Sequence, residues 1–309
     1  MNIGYNRPLY LLPFDHRHSY VSGIFHLDPP LTPTQRLAVI ESKHVIYDGF
    51  RYALGGDLPV DTAGLLVDEE FGADILRDAN RNGYITAVST ERSGSAEFAF
   101  EYGSAFAAHI EAFQPTFAKA LVRYNPEGDA ALNARQTARL KQLSDYCHRV
   151  GQRFMFELLV PATDAQMARS GADQKTYDQV IRPPLMLQAI SALQDAGIEP
   201  DIWKIEGLDR REDCERVVAM CRRGGREEVG CIVLGHHADE ERVASWLRTA
   251  ASVSGFTGFA VGRTTFWNAI ADFVNNRTTH CEAAFRVAHR YREWANIFDG
   301  ARRSRSSAA

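Results

Sequence analysis

The segment "DIWKIEG", residues 201–207, is a short apolar run interrupted by Lys204 and Glu206. Its β-branched and aromatic residues predict a buried strand. Because side chains alternate along a strand, Lys204 and Glu206 share a face with Ile202, whereas Trp203 lies on the other face. We expect the bulkier Trp203 face to meet covering helices. Lys204 is therefore predicted to point into the interior, where an apolar side chain would be the ordinary choice.

Seven further runs of this kind occur along the chain. The eight runs are 9–14, 63–67, 84–89, 118–124, 153–160, 201–207, 230–235 and 255–262. The segments of helical periodicity among them are 33–54, 69–81, 97–113, 129–149, 178–196, 209–224, 238–253 and 266–276. Strict alternation indicates parallel strands covered by helices, either as a (β/α)8 barrel or as an open doubly wound sheet. Eight repeats in about 270 residues, with no G-x-G-x-x-G after the first run, favour an α/β fold of the (β/α)8 TIM barrel type.

The domain organisation follows from this alternation. We predict a single barrel domain at 1–300 that includes a C-terminal helix at 280–298, followed by a disordered tail at 301–309. Phe285, Tyr291 and Phe298 recur at helical spacing along that helix. Such an aromatic stripe predicts packing against the barrel or against a second subunit, so a homo-oligomer is one expectation.

Composition narrows the class of partner. The 309 residues are 45% hydrophobic and 24% charged with a net charge of -4, which is typical of a soluble globular protein and gives no overall basic field. We therefore expect neither a nucleic acid nor a membrane as partner, and no run approaches the roughly 18 apolar residues of a membrane span. Five scattered cysteines lack the spacing of a zinc site or a disulfide framework, which favours a cytoplasmic location. No cofactor and no metal are expected.

Polar residues at the ends of the predicted strands are the candidates for chemistry, because TIM barrel active sites lie at the C-terminal ends of the strands. Lysine is scarce, with five lysines among 35 basic residues, so two lysines in barrel strands stand out. The candidates are Asp15, Arg17, Asp68, Glu69, Glu91, Lys119, Arg123, Glu157, Lys204, Glu206, His236, His237 and Arg263.

Strand parity places Lys204, Lys119 and Glu157 in the barrel interior, where charges are costly unless they neutralise one another or perform chemistry. The arrangement suits a Schiff-base enzyme with Lys204 as nucleophile and Glu157 as general acid and base. Lys119 would lower the pKa of Lys204 through like-charge repulsion. The alternative is a buried Lys–Glu ion pair that fills the barrel, and parity alone does not separate the two.

The segment "GFTGFAVGRTTFWNAI", 255–270, predicts an anion site after the last strand. Gly262 lets the backbone approach a ligand, Arg263 offers a planar fork for phosphate, and a following threonine can cap the next helix. The alternative is a helix cap with a surface arginine. After the seventh strand, Gly235 and His236 are candidates for phosphate or substrate binding; histidine metal ligation is a weaker alternative, since the spacing does not require it.

Taken together, these segments resemble the class I aldolases of the tagatose-bisphosphate aldolase type, and especially the aldolase-like domain fused to 5-dehydro-2-deoxygluconokinase in myo-inositol catabolism. The resemblance spans about 9–270. The matching segments are "FDHR" at 14–17, "LLVDEEFG" at 65–72, "AKALVRYNPEG" at 118–128, the inward glutamate of the fifth strand, "DIWKIEG" at 201–207 and "VGRTTFW" at 261–267.

The resemblance implies a role for each matched position. Lys204 would form the Schiff base, Glu157 would shuttle protons, and Arg263 would bind phosphate. Lys119 and Asp15 would tune the charge and hold substrate hydroxyls.

Two segments depart from the tagatose type. "LGHHADEE" at 234–241 replaces a small serine–alanine–glycine turn, and "STERSG" at 89–94 lacks a lysine, leaving Glu91 and Arg92. Both departures favour a keto acid phosphate whose carboxylate meets Arg17, Arg92 or Arg123.

The predicted function is a class I aldolase, a cofactor-free carbon–carbon lyase of carbohydrate metabolism. It would cleave 2-deoxy-5-keto-gluconate 6-phosphate into dihydroxyacetone phosphate and malonate semialdehyde. The alternatives are the same mechanism on tagatose, fructose or sulfo-sugar phosphates, a phosphosugar-binding barrel without catalysis, and a metal-dependent aldolase that uses His236 or His237.

Overall fold

A computed structural model describes residues 3–55, 58–235 and 238–308, with the side chains of 306–308 left undescribed. Over these residues the chain forms a closed barrel of eight parallel strands in sequential order. The predicted TIM barrel is confirmed. The strands are β1 (Leu9–Pro13), β2 (Ala63–Val67), β3 (Ile85–Ser89), β4 (Phe117–Arg123), β5 (Arg153–Leu159), β6 (Ile202–Glu206), β7 (Gly230–Leu234) and β8 (Phe256–Ala260).

Helices cover the outside of the barrel. They are α1 (His18–Ile24), α2 (Pro33–Leu54), α3 (Glu69–Arg81), α4 (Phe106–Phe113), α5 (Ala130–Val150), α6 (Asp164–Arg169), α7 (Gln174–Thr176), α8 (Arg182–Asp195), α9 (Arg211–Arg222), α10 (Glu240–Ala251), α11 (Arg263–Val274) and α12 (His280–Ala308). The long connections after β1 and β5 contain the short helices α1, α6 and α7. A π-helical turn at Tyr177–Ile181 joins α7 to α8.

The prediction of a helix over 97–113 was wrong in its first half. Residues 90–101 fold back on themselves instead, with an isolated antiparallel bridge between Glu91 and Phe100. Backbone hydrogen bonds from Arg92 to Ala99 and from Glu101 to Thr90 hold this loop, and α4 begins only at Phe106. The loop brings Glu91 back over the end of β3.

Strand parity divides the core into two parts, as predicted. The interior cluster includes Met155 and Ile202, the neighbours of Glu157 and Lys204 on the inward faces of β5 and β6. Trp203 belongs to the larger cluster between strands and helices, where it packs on Phe156 at 4.8 Å between ring centroids. The apolar interior therefore ends in charged side chains at the C-terminal end of the barrel.

The aromatic stripe of α12 packs mainly against the barrel. Tyr291 and Phe298 are fully buried, and the Tyr291 hydroxyl donates to the backbone oxygen of Tyr10 on β1. Phe285 stays 58% exposed and stacks on Tyr52 of α2. The helix is also longer than predicted: the segment expected to be a disordered tail is helical as far as Ala308.

Side-chain contacts accompany this extension of α12. Asp299 pairs with Arg302 within the helix. Arg305 donates to the backbone oxygen of Ala251 at 3.0 Å, tying the added turns to the end of α10. No helix in the described part of the chain is both long enough and apolar enough to cross a membrane.

Candidate active site

A cavity of about 200 Å³ opens at the C-terminal ends of the strands. It brings together most of the side chains predicted from strand-end positions, although they come from segments far apart in the sequence. The predicted residues that line it are Asp15, Arg17, Glu91, Lys119, Arg123, Glu157, Lys204, Gly235, Gly262 and Arg263. Glu206 does not line this cavity. His236 and His237 lie outside the described residues, so the predictions made for them are not addressed by the structure.

Lys204 and Glu157 form a buried ion pair at the base of the cavity. Neighbouring strands place them side by side, since Glu157 of β5 is in register with Lys204 of β6. Nζ of Lys204 lies 2.7 Å from Oε1 of Glu157, and the two residues are only 4% and 6% exposed. A carboxylate in direct contact with an amine can accept a proton from it and return it later.

Lys119 is surrounded by three carboxylates. Its Nζ lies 2.6 Å from Glu91, 2.8 Å from Asp15 and 2.9 Å from Glu157. Burial by itself would lower the pKa of Lys119, but the attraction of the three carboxylates outweighs it and raises the pKa well above its ordinary value. Lys119 therefore remains an ammonium ion. Its predicted effect on the pKa of Lys204 stays a prediction.

The three carboxyl groups differ in their tendency to ionise. Burial opposes ionisation in each, but Lys119 and Lys204 lower the pKa values of Asp15 and Glu157 below the ordinary range. For Glu91 burial dominates and the pKa is raised, although Lys119 acts in the other direction. Glu91 is thus the carboxyl group of the three that protonates most readily.

Gly262 and Arg263 lie at the start of α11 and line the cavity. A Cβ atom at Gly262 would lie 2.2 Å from the backbone oxygen of Pro13, so only glycine allows this close approach to the end of β1. The predicted threonine cap is wrong: no side chain caps α11, and Thr265 donates its hydroxyl to the backbone oxygen of Val261. Burial lowers the pKa of Arg263, opposed by Asp15 and Glu157.

The predicted arginines fall into two groups. Arg17 is 6% exposed and donates to Glu101 at 2.6 Å and to the backbone oxygen of Glu91, so its donors hold the 90–101 loop against the β1 end. This pairing does not favour the substrate carboxylate role suggested for Arg17. Arg92 and Arg123 are exposed at the mouth of the cavity. Arg123 makes one long contact, 3.4 Å to the backbone oxygen of Ser95.

Glu206 faces away from the cavity toward the connection after β5. Its Oε2 accepts a hydrogen bond from the backbone of Val160 at 2.8 Å and lies 3.6 Å from Nη1 of the buried Arg182. Arg182 also donates to the backbone oxygen of Gly207. These contacts pair Glu206, a candidate from its position at a strand end, with an arginine.

Comparison with known proteins gives the chain a family. Residues 6–302 match the model of a family described as "Uncharacterized protein conserved in bacteria (DUF2090)". The chain belongs to the DUF2090 family. A search of curated proteins found no match to this DUF2090 sequence.

Solved structures with the same barrel include two aldolases. Fructose-bisphosphate aldolase from Plasmodium falciparum, in a complex with TRAP and an inhibitor, aligns with a TM-score of 0.60 at 12% identity, covering 97% of this chain and 92% of that one. An archaeal fructose 1,6-bisphosphate aldolase aligns with a TM-score of 0.58 at 10% identity, covering 96% and 95%. Cgl0159 from Corynebacterium glutamicum aligns with a TM-score of 0.53 at 18% identity, covering 94% and 88%. At these identities the likeness establishes the fold.

One buried ion pair of this DUF2090 barrel was not predicted from the sequence. Lys43 of α2 is fully buried, and its Nζ donates to Asp68 and to the backbone oxygens of Phe14 and His16 at 2.9 and 3.0 Å. Asp68 in turn accepts from the backbone of Phe71 and caps α3. The pair fixes the segment after β1 that carries Asp15. The scarcity of lysine was the available signal, but helical periodicity gave no indication that Lys43 faces the barrel.

Proposed function

We propose that this protein is a class I aldolase in which Lys204 forms a Schiff base with the ketone of a phosphorylated keto sugar acid. The observation that carries the proposal is the 2.7 Å contact between the Lys204 amine and the Glu157 carboxylate inside a cavity bordered by Arg263. A nucleophilic amine next to a proton acceptor, in a cleft that can hold a phosphate, is the arrangement this chemistry needs.

The first half of the reaction forms the Schiff base. Glu157 accepts a proton from the Lys204 ammonium, and the neutral amine attacks the substrate carbonyl carbon to form a carbinolamine. Glu157 then donates a proton to the carbinolamine hydroxyl, which leaves as water and gives the iminium ion. The carbonyl oxygen has left as water, and Lys204 carries the positive charge as the iminium nitrogen.

The second half cleaves the carbon–carbon bond. Glu157 removes the proton from the substrate hydroxyl on the carbon β to the iminium carbon. The bond between the α and β carbons breaks, the β carbon becomes the aldehyde carbon, and the bonding electron pair moves to the iminium to form an enamine. Glu157 returns this proton to the α carbon of the enamine, which regenerates the iminium, and water hydrolyses the iminium to the ketone product and free Lys204. Throughout, the permanently charged Lys119 stabilises the carboxylate form of Glu157, Asp15 and Glu91.

The charges at the two sides of the mouth support a substrate with an anion at each end. Arg263 follows β8, whereas Arg123 ends β4, and these strands lie on opposite sides of a closed eight-stranded barrel. Arg92, which follows β3, is exposed beside Arg123 at the same mouth. A phosphate at Arg263 and a carboxylate at Arg92 and Arg123 would place the ketone between them, near Lys204. This supports 2-deoxy-5-keto-gluconate 6-phosphate as substrate, with dihydroxyacetone phosphate and malonate semialdehyde as products.

The test is chemical trapping of the Schiff base. The protein is incubated with dihydroxyacetone phosphate, reduced with borohydride and mapped by mass spectrometry. We expect a covalent adduct on Lys204 that is absent in Lys204→Met and retained in Lys175→Met, a matched change at an exposed lysine. Wild-type protein without an adduct would contradict the proposal and favour a phosphosugar-binding barrel without catalysis.

A substrate panel separates the aldolase alternatives. If the second anion is a carboxylate, cleavage of the keto sugar acid phosphate should be faster than cleavage of tagatose, fructose or sulfo-sugar phosphates. Changing Arg92 and Arg123 together to methionine should reduce kcat/KM for the acid substrate far more than for tagatose or fructose monophosphates, which carry no second anion. An equal reduction for all substrates would argue against a carboxylate at these arginines.

A further inference from the structure

His16 belongs to the cavity but has no role in the reaction described above. It lies between Asp15 and Arg17 in the segment after β1, and it lines the cavity together with Lys204 and Arg263. Its Nδ1 atom is shielded from solvent and has no hydrogen-bond partner among the residues that the structure describes. A buried polar atom without a partner is costly, so such an atom at a binding cavity calls for a ligand.

The imidazole ring of His16 lies near one end of the cavity. The imidazole packs edge to face on Phe266, with 6.0 Å between ring centroids, and Phe266 lies in the first turn of α11. That turn begins with Arg263 and presents the helix N-terminus, where an anion is favoured. His16 therefore stands beside the end of the cavity at which the phosphate is proposed to bind.

The backbone of His16 is fixed independently of any ligand. Its carbonyl oxygen accepts a hydrogen bond of 3.0 Å from the fully buried Lys43. Burial lowers the pKa of His16 to about 3; Asp15 opposes this shift, and Arg263, Lys204 and Lys43 add to it. At neutral pH the ring is uncharged, with one nitrogen as donor and the other as acceptor.

We propose that His16 is a specificity-determining residue that binds the phosphate end of the substrate, with Nδ1–H donating to a phosphate oxygen beside Arg263 after a rotation of the ring that brings this nitrogen to the cavity. The inference rests on the proposed function for the identity of the substrate, but phosphate binding itself can be measured without catalysis. A neutral donor is useful here because it adds a directed hydrogen bond without adding another cation to a cavity that already holds two lysines and Arg263.

The experiment uses sn-glycerol 3-phosphate, which has no carbonyl group and cannot form a Schiff base. Its binding is measured by titration calorimetry with the wild-type protein, His16→Leu and His16→Asn. Because one hydrogen bond to a charged group is lost, we expect His16→Leu to bind about tenfold more weakly. The asparagine amide nitrogen overlies the Nδ1 position, so His16→Asn should retain binding within about threefold of wild type.

His18→Leu is the matched control, because His18 is an exposed histidine two residues away that does not line the cavity. It should bind the probe as wild type does, and circular dichroism should show that all variants are folded. Wild-type protein that fails to bind the probe, His16→Leu that binds it unchanged, or equal losses in the leucine and asparagine variants would each overturn the assignment. A missing borohydride adduct on Lys204 would instead contradict the proposed function and leave the His16 result standing.

Discussion

Replacing Glu157 by glutamine should abolish the proton transfer while leaving the shape of the site unchanged. The change keeps the size of the side chain but removes the charge that lies 2.7 Å from Lys204 and 2.9 Å from Lys119. General acid–base catalysis by a positioned carboxylate contributes about 10²–10⁴ in rate, equivalent to roughly 3–5 kcal/mol of activation free energy. We expect the turnover of Glu157→Gln to fall by that factor.

The stability of the same variant can be worked out from its contacts. Removing one partner of a buried ion pair costs about 3–5 kcal/mol when the other charge is left alone. Here Lys119 keeps Asp15 and Glu91 at 2.8 and 2.6 Å, and the glutamine oxygen can still accept a hydrogen bond from Lys204. The loss in free energy of unfolding should therefore lie near the lower end, about 3 kcal/mol, and the variant should remain folded.

The assay follows the exchange of the α-protons of dihydroxyacetone phosphate in deuterated water by NMR. Exchange requires the Schiff base and a base that removes the proton, but no knowledge of the aldehyde product. Glu215→Gln, the same change at an exposed glutamate that pairs with Arg211, should exchange at the wild-type rate. A folded Glu157→Gln protein whose exchange rate stays within about threefold of wild type would refute the assignment of Glu157 as the proton shuttle.

Three further predictions address other parts of the site. Lys43→Met leaves Asp68 buried without its cation, so chemical denaturation should show a loss of about 3–5 kcal/mol, and Asp68→Asn in the same chain should recover part of it; no loss would contradict a structural role for the pair. The lowered pKa of His16 means that the unfolded chain binds a proton there below about pH 6.5 while the folded chain does not. As the pH is lowered from 6 to 4.5, the free energy of unfolding of wild type should then fall relative to that of His16→Leu by up to about 1.4 kcal/mol per pH unit. If the two proteins lose stability in parallel, the pKa of His16 is not lowered. Arg263→Leu should raise the KM for dihydroxyacetone phosphate in the exchange assay about tenfold or more while changing kcat little, whereas a loss confined to kcat would place the phosphate elsewhere.

The strands could be predicted from the sequence because their pattern depends only on residues close together in the chain. Side chains alternate with a period of two in any strand, so the inward direction of Lys204 and Glu157 followed from the apolar residues beside them. The sequence failed where a loop replaced a helix: residues 97–102 have enough apolar side chains for a helix, but pairing between Glu91 and Phe100 competes with it.

The contacts among charged groups were less predictable. Arg17 and Arg123 looked equivalent at strand ends, yet Arg17 is buried against Glu101 and Arg123 is exposed. Similarly, Glu206 lies on the same face of β6 as Lys204 but two residues closer to the C-terminal end of the strand. There it pairs with Arg182 of α8. Which partner a charge meets depends on helices and loops that strand periodicity does not describe.

The sequence by itself determined the repeating order of strands and helices, the closed barrel as its preferred solution, and the inward position of the two lysines and Glu157. Only the tertiary structure decided that Lys119 is held by three carboxylates, from residues as far as 104 positions away, and that a buried Lys43 fixes the segment carrying Asp15 and His16. The reason is physical: alternation is a property of the backbone over a few residues, whereas these contacts arise when closure of the barrel brings the ends of distant strands to one mouth.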